Sequence, residues 1–519
     1  MKYPIGIQDF EDLRRNGYKY VDKTNFVYKL ADEGKYYFLS RPRRFGKSLF
    51  LSTLEAYFQG KKELFEGLAI YDLETEWKKY PIFHIDLNTA NFREKDSLYN
   101  VLNDYLTGWE DKYGARESEA TLALRFKGVI ARAAEKEGCG VVILIDEYDK
   151  PILQTLRDPE LQAEHRAQLK AFYSVLKTQD RYIKFAFLTG VTKFGKVSVF
   201  SDLNNLTDIS MDHRYISICG MTEKELLTNF KEGISELAEA NGDTEEATIA
   251  KLKARYDGYH FEENTVGLYN PFSVLNTLSR LRYKDYWFET GTPTFLVDLL
   301  KMHNYRLPDM TKERVSDDVI NSVDSLSTNP IPVIYQSGYL TIKGYDKRYG
   351  EYTLDYPNVE VAKGFVTLMA NSYLKKAESE ASYWIVNLDR MLRRGALDDI
   401  KEAFTAFLAS IPYEANKDER AKNFETHFQY TFYIIFRLLS CYTTLIEKQN
   451  SKGRADIIVE SDNDIYIFEF KMDGTAEEAL KQIEEKQYAL PYLNDKRSVH
   501  KIGVNISSST RTVDGWLLG

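Results

Sequence analysis

Polar and apolar positions along the chain fall into blocks whose period changes. Lys35–Ser40 (KYYFLS) is a short aromatic and apolar run, the mark of a buried strand. Leu49, Phe50, Leu54, Tyr57 and Phe58 follow it at helical spacing. Pro81–Leu87 predicts a second strand and Leu98–Gly138 a mostly helical stretch with polar breaks. Val141–Ile145 is a run of apolar residues, nearly all β-branched, and reads as a buried central parallel strand. Arg166–Thr178 predicts a helix, Tyr182–Leu188 another apolar strand and Arg214–Ile218 a short one. Strands alternating with helices predict an α/β fold, a parallel sheet with helices on both faces.

From Thr222 to Tyr256 the pattern is helical, and Thr222 with Glu225 three residues on forms a capping box. Asn270-Pro271 starts a further helix. This stretch reads as a helical lid or as a plain connector. A helix-like piece near Ile331 then precedes Leu340–Lys343 and Tyr352–Leu354, joined through GYDKRYGE. A helix followed by a hairpin with Lys347 and Arg348 at its tip is winged-helix-like, and such a wing contacts DNA or protein. Toward the C-terminus, Phe424, Phe428, Phe432 and Ile435 recur at helical spacing. Thr444–Glu447, Arg454–Val459 and Ile465–Lys471 read as strands, Thr475–Leu493 as a helix and Val499–Ile506 as a last strand. The expected division is a sheet domain over 1–220, a lid over 221–290, a winged-helix-like and helical middle over 291–400, and a C-terminal α/β domain over 401–519.

Chemistry concentrates between the first strand and its helix. Gly46-Lys47-Ser48 opens the helix, where backbone N–H groups and the helix dipole attract an anion. Lysine adds a point charge there, and the serine hydroxyl can ligate Mg²⁺. The loop Arg41-Pro42-Arg43-Arg44-Phe45 has P-loop length, but Arg41 stands where the pattern wants glycine. Either the loop opens differently, or its arginines meet phosphate directly. Asp146-Glu147 at the end of the third strand supplies the acidic partner: one carboxylate for Mg²⁺, one to orient a water. Asp22 and Lys23 read as a helix start near Asn25 or as the rim of this site.

A second constellation lies at the other end. Side chains two apart on a strand share a face, so Glu469 and Lys471 project together, with Phe468 and Phe470 opposite. If Ser461–Asp464 closes a hairpin, Glu460 pairs with Ile465 and Asp456 falls across from Glu469. Two carboxylates that close favour a shared divalent metal, Mg²⁺ by its oxygen ligands. Lys471 beside them can position a water for attack on phosphate. Gln482 and Lys486, one turn apart on the next helix, can reach the same place.

Composition narrows the setting. The chain has 519 residues and a formal charge of −9, which argues against indiscriminate coating of nucleic acid. No apolar run approaches the ~20 residues that span a bilayer. MKYPIGIQDF has no apolar leader core, and Cys139, Cys219 and Cys441 lack metal spacing; a cytoplasmic protein with free thiols is the expectation.

Residues from about 5 to 285 resemble the AAA-ATPase-like domain of a large group of bacterial proteins, through YVDKT, LSRPRRFGKSL, ILIDEYDKP, FLTGVTKF and SDLNNLTDIS. Residues from about 400 to 515 resemble the PD-(D/E)XK nuclease domain at the other end of those proteins, through GRADIIV, IYIFEFK and LKQIEEKQYA. The resemblance implies ATP held by Arg43, Arg44, Gly46, Lys47, Ser48 and Asp146, with Thr189 at the place of a γ-phosphate sensor. Arg43, Arg44 and Arg214 compete for the role of charge-stabilising arginine, and Asn204 and Asn205 lie in the loop nearby. In the nuclease part it implies Asp456, Glu469 and Lys471 as the catalytic set, with Glu425 and Gln482 assisting; Ala455 replaces the family's proline. The expected partners are ATP and nucleic acid, DNA ahead of RNA, with no membrane and a homo-oligomer as an option. An ATP-regulated nuclease is the leading expectation, and an ATP-controlled switch without cleavage its rival.

Overall fold

The computed structural model describes residues 1–193, 203, 205–289, 296, 299, 314–320, 329–374, 378–409, 444–446, 449–450, 453–454, 457–461, 463–510 and 512–519. The chain forms two compact units, the first running through Val361 and the second covering the described residues from Ala362 onward.

The first unit is built on a five-stranded parallel sheet in the order β2-β3-β4-β1-β5. Its strands are β1 (Tyr36–Ser40), β2 (Ile82–Asp86), β3 (Val141–Asp146), β4 (Ile183–Gly190) and β5 (Thr207–Asp208). β1 and β3 are buried along their whole length, as expected for inner parallel strands. The register sets Ser40 beside Gly190 and Asp86 beside Asp146. The carboxyl ends of four strands therefore meet at one edge, where an open α/β sheet receives its ligand. The helix Lys47–Phe58 leaves that edge.

Several local expectations shift. Arg214–Ile218 is part of a 3₁₀ helix, His213–Ile218, and not a strand; Asp212 accepts the Arg214 N–H and so favours a helical turn. A short helix, Lys150–Gln154, follows β3, and the helix expected from Arg166 begins at Pro159, because Asp158 caps it and proline fits its first position. Asp22 accepts the N–H and hydroxyl of Thr24 and the N–H of Ala69, and Lys23 pairs with Glu225 at 2.6 Å; neither lines the cleft described below. The capping box at Thr222 and Glu225 is present, ahead of helices Glu223–Asn229, Lys231–Asn241 and Glu245–Tyr256.

Downstream, the buried helix Ile331–Gln336 leads into the hairpin β7 (Thr341–Asp346) and β8 (Glu351–Asp355). With β6 (Arg314–Ser316) they make a three-stranded antiparallel sheet in the order β6-β8-β7. Lys347 and Arg348 are exposed at the hairpin tip. This sheet belongs to the first unit.

The second unit carries a mixed sheet in the order β15-β14-β13-β12-β9. Its strands are β9 (Thr444–Ile446), β12 (Ile457–Glu460), β13 (Asp464–Met472), β14 (Ser498–Ile506) and β15 (Val513–Leu518); β10 (Gln449–Asn450) and β11 (Gly453–Arg454) form a short ladder. The expected pairing of Glu460 with Ile465 is present, and it sets Ile457 opposite Phe468. Alternation along β13 works as anticipated. Ile465 and Ile467 pack with Ile483, Tyr488 and Tyr492 on one side, whereas Phe468 meets Phe404 and Trp516 on the other. The edge strand β15 was not legible in the pattern. The helix expected to run to Leu493 stops at Glu485, where Gln487 takes a left-handed turn at φ 54°.

Gly503 stands beside Glu469 in the β13–β14 ladder. A Cβ there would lie 2.3 Å from the Ala476 carbonyl and 2.8 Å from the Leu480 N–H nitrogen. The missing side chain lets the helix Ala476–Glu485 lie against the sheet. Gly503→Ala is expected to lift that helix and lower stability by about 1–3 kcal/mol, read as a lower denaturant midpoint.

Candidate functional site

The loop between β1 and its helix divides its arginines. Arg41 is 1% exposed and turns into the core. Its Nη1 donates to the carbonyls of Ser40 (2.9 Å) and Ser210 (2.7 Å), its Nη2 donates to Ile216 (3.3 Å), and the guanidinium lies 4.1 Å from the Phe261 ring centroid. The residue in the glycine position therefore ties the loop to the end of the sheet. The loop opens differently: its left-handed positions are Arg44 (φ 67°) and Gly46 (φ 94°), the latter with open space beside it. Arg43 and Arg44 line a cleft of about 540 Å³ together with Gly46, Lys47 and Ser48. Arg214 is bound to Asp212 at 2.6 Å and is not part of the cleft wall.

Lys47 is buried. Its Nζ donates to the carbonyls of Arg41 (3.1 Å) and Pro42 (3.3 Å) and lies 3.4 Å from Glu147 Oε1. Ser48 hydrogen-bonds Asp146, the paired hydroxyl and carboxylate expected of Mg²⁺ ligands. Burial, then the Glu147 charge, raises the Asp146 carboxyl to about 6. Glu147 itself has φ 52°, a left-handed backbone unusual for a glutamate and typical of functional turns. The segment after it is buried rather than solvated. Asp149 accepts from the Thr192 N–H and hydroxyl at 2.6 Å each and so holds the exit of β4. Thr189 ends β4 fully buried, its hydroxyl without a partner among the described residues, and it is not part of the cleft wall. Asn205 is exposed in a turn, and Asn204 lies outside the described residues.

Sequence reasoning did not find the rest of the wall. Lys150 donates to the Asn88 carbonyl and side chain at 2.7 Å each, and both line the cleft near Glu147. Pro4, Ile7, Phe272 and Leu275 give an apolar side. Trp287, Ser337 and Tyr339 close another. No single local pattern could assign these residues, because they come from segments scattered between Pro4 and Tyr339.

Trp287 is fixed twice. Its indole N–H donates to the Arg43 carbonyl (3.1 Å) and its backbone N–H to Glu360 Oε1 (2.9 Å). Glu360 is fully buried, also bonded to the Ser273 hydroxyl, and burial pushes its carboxyl up to about 8. The unfolded group titrates near 4.5. The folded chain thus holds this proton more tightly, a contribution complete below about pH 4.5 and lost as pH rises through about 8. Glu360→Gln is expected to flatten the fall in stability between these values, measured as denaturation midpoint against pH.

In the second unit Glu469 is 2% exposed on β13. The Gln482 amide N–H donates to Glu469 Oε1, and Lys471 Nζ donates to Gln482 Oε1 at 2.6 Å. The structure thereby brings together Glu469, Lys471 and the assisting Gln482, while Lys486 caps the helix and is exposed. Gln482 reaches the pair because a capping box at Thr475 and Glu478 starts its helix and Gly503 lets that helix close on the strands. Asp456 and Glu425 lie outside the described residues.

The first cleft fits a Mg²⁺-bound nucleotide by its donors: a buried lysine, a Ser48–Asp146 pair of hard oxygen ligands and a glycine-turned helix start. Its size is that of small-ligand sites. In the second unit the described residues supply one carboxylate, Glu469, and a neighbouring amine, Lys471; among the described residues no group of three or more His, Cys, Asp or Glu that could hold a metal ion is present.

Comparison with known proteins agrees with both units. Residues 4–200 match a family described as "Predicted AAA-ATPase", and residues 423–516 match the PD-(D/E)XK nuclease superfamily. A protein of Azotobacter chroococcum mcd 1, described as an uncharacterized protein in the vnfD 5′ region, is 37% identical over 523 residues, spanning 100% of this chain and 98% of that protein. No helix among the described residues is long and apolar enough to cross a membrane. The chain belongs to the family that joins an N-terminal AAA-ATPase-like domain to a C-terminal PD-(D/E)XK nuclease superfamily domain.

Proposed function

We propose that the chain binds ATP with Mg²⁺ at Lys47, Ser48, Asp146 and Glu147 and cleaves phosphodiester bonds of nucleic acid, DNA ahead of RNA, at Asp456, Glu469 and Lys471, under control of the bound nucleotide. The observation that carries this reading is the Glu469–Gln482–Lys471 chain of hydrogen bonds. An acid and a base on one face of an otherwise apolar strand, both held by one amide, have a chemical use and a structural cost. Lys471 positions the attacking water, and Gln482 keeps both partners in one rotamer. A bound Mg²⁺ supplies charge neutralisation at the scissile phosphate and lowers the pKa of water. In the first unit, Glu147 orients water toward the terminal phosphate, and Arg43 and Arg44 face the phosphate chain from the loop. The helices between Glu223 and Tyr256 act as the lid. Free thiols at Cys139 and Cys219 are consistent with a cytoplasmic setting.

The test is incubation of the purified chain with single- and double-stranded DNA and RNA, with Mg²⁺, with and without ATP. Cleavage by the wild type that ATP modulates is expected. No cleavage under any of these conditions, together with ATP-dependent oligomerisation, would instead support the nucleotide switch.

A further inference from the structure

Ser337 lines the same cleft as Lys47 and Glu147, yet it lies far along the chain from either. It is 6% exposed, and its hydroxyl has no hydrogen-bond partner among the described residues. A buried hydroxyl left unpaired is costly, and a cleft wall is a place where an incoming group can satisfy it.

Its turn packs beside the loop that carries Arg43, through Tyr339 and Trp287. The preceding Gln336 accepts the N–H of Lys193, in the segment that leaves β4 beside Glu147, at 2.7 Å. The following Gly338 takes φ 87°, and a Cβ there would stand 2.6 Å from the Pro42 side chain. The turn is therefore pressed on the middle of the phosphate loop. Tyr339 completes the clamp: its ring lies 4.9 Å from that of Trp287, whose indole N–H holds the Arg43 carbonyl. The apolar wall that suits a nucleobase comprises Pro4, Ile7, Phe272 and Leu275, and the Phe272 ring lies 5.1 Å from the Arg44 guanidinium.

Beyond Tyr339 the chain passes through Leu340 straight into β7. Thr341 at its start exchanges hydrogen bonds with His260: its hydroxyl accepts the His260 N–H at 2.6 Å. The turn thus stands one residue from the start of the hairpin.

On the nucleotide reading of the cleft, we infer that the Ser337–Tyr339 turn discriminates triphosphate from diphosphate: the Ser337 hydroxyl donates to the terminal phosphate, and that bond sets the position of the β7–β8 hairpin. A neutral donor on a charged oxygen is a strong hydrogen bond, and a diphosphate does not extend far enough to accept it.

The experiment uses the full chain with Mg²⁺ and measures binding of a non-hydrolysable ATP analogue and of ADP by calorimetry, for wild type, Ser337→Ala and Lys47→Ala. Hydrogen exchange of the hairpin amides is followed in parallel. Ser337→Ala is expected to weaken the analogue about tenfold and ADP less than about twofold. The analogue should protect the hairpin amides of the wild type and not those of the variant. Equal losses for both nucleotides, or no loss, would overturn the inference while leaving the nucleotide reading intact. Failure of the wild type to bind either nucleotide, or unchanged binding by Lys47→Ala, would overturn both.

Discussion

Lys47→Ala is expected to weaken binding of Mg²⁺-ATP by about 100-fold or more, measured by calorimetry on the full chain. The ammonium is buried at the cleft wall among two loop carbonyls and Glu147. It holds the loop in its open form by bonding Arg41 and Pro42, and it balances the Glu147 carboxylate. A phosphate chain laid along the loop gives the lysine a stronger partner and releases Glu147 to bind water. Alanine removes the charge the phosphates need and leaves Glu147 without its balancing cation, so the loss exceeds that of one neutral hydrogen bond. The same arrangement predicts what happens with acid. Burial and the Glu147 charge push the Asp146 carboxyl up to about 6, so protons compete with Mg²⁺ for this ligand as pH falls and the affinity for Mg²⁺-ATP should fall with them. Unchanged affinity in Lys47→Ala would remove the loop from the phosphate site.

Lys471→Ala is expected to reduce Mg²⁺-dependent cleavage by about 10²–10⁴-fold without unfolding the second unit, measured with a labelled duplex and checked by circular dichroism. Lys471 is only half-buried, whereas the strand around it is held by Ile465, Ile467 and Phe468 in two cores. Removing its amine frees the Gln482 carbonyl but leaves the Glu469 bond intact. The fold therefore has little reason to change, and a loss of activity reports on chemistry. Asp456→Ala, at the other acid of the proposed catalytic set, should show the same loss. Cleavage by Lys471→Ala at the wild-type rate would detach the proposed activity from this strand.

The two candidate sites rest on short-range features, and this is why their residues could be read from the sequence. Gly46-Lys47-Ser48 opens the helix after β1 and Asp146-Glu147 closes β3, and each strand is announced by its own apolar run. Glu469 and Lys471 share a face because strand geometry has period two, whatever the partner strands do. The capping boxes at Thr222 and the start of the helix at Asn270 are equally local, since each cap is made by residues three apart.

Other features were decided by packing. Whether Arg41 would meet phosphate or the core depended on Ser210, Ile216 and Phe261, which the fold delivers from distant segments. Arg214–Ile218 had the composition of a strand, but among the described residues no strand pairs with it, and Asp212 turns it into a helical segment. Trp287, Ser337 and Tyr339 carry no motif; they enter the cleft because Gly338 and Glu360 fix the segments that bear them.

The amino-acid order by itself thus determined the class of sheet, the strand-to-helix turn with its lysine and serine, and the shared face of Glu469 and Lys471. These depend on local periodicity and on residues a few positions apart. Tertiary structure alone decided which arginine is buried, which carboxyls are held above their usual range, and which remote side chains close the cleft. Burial, close approach and desolvation are set by what lies across space, and no short window of sequence contains that information.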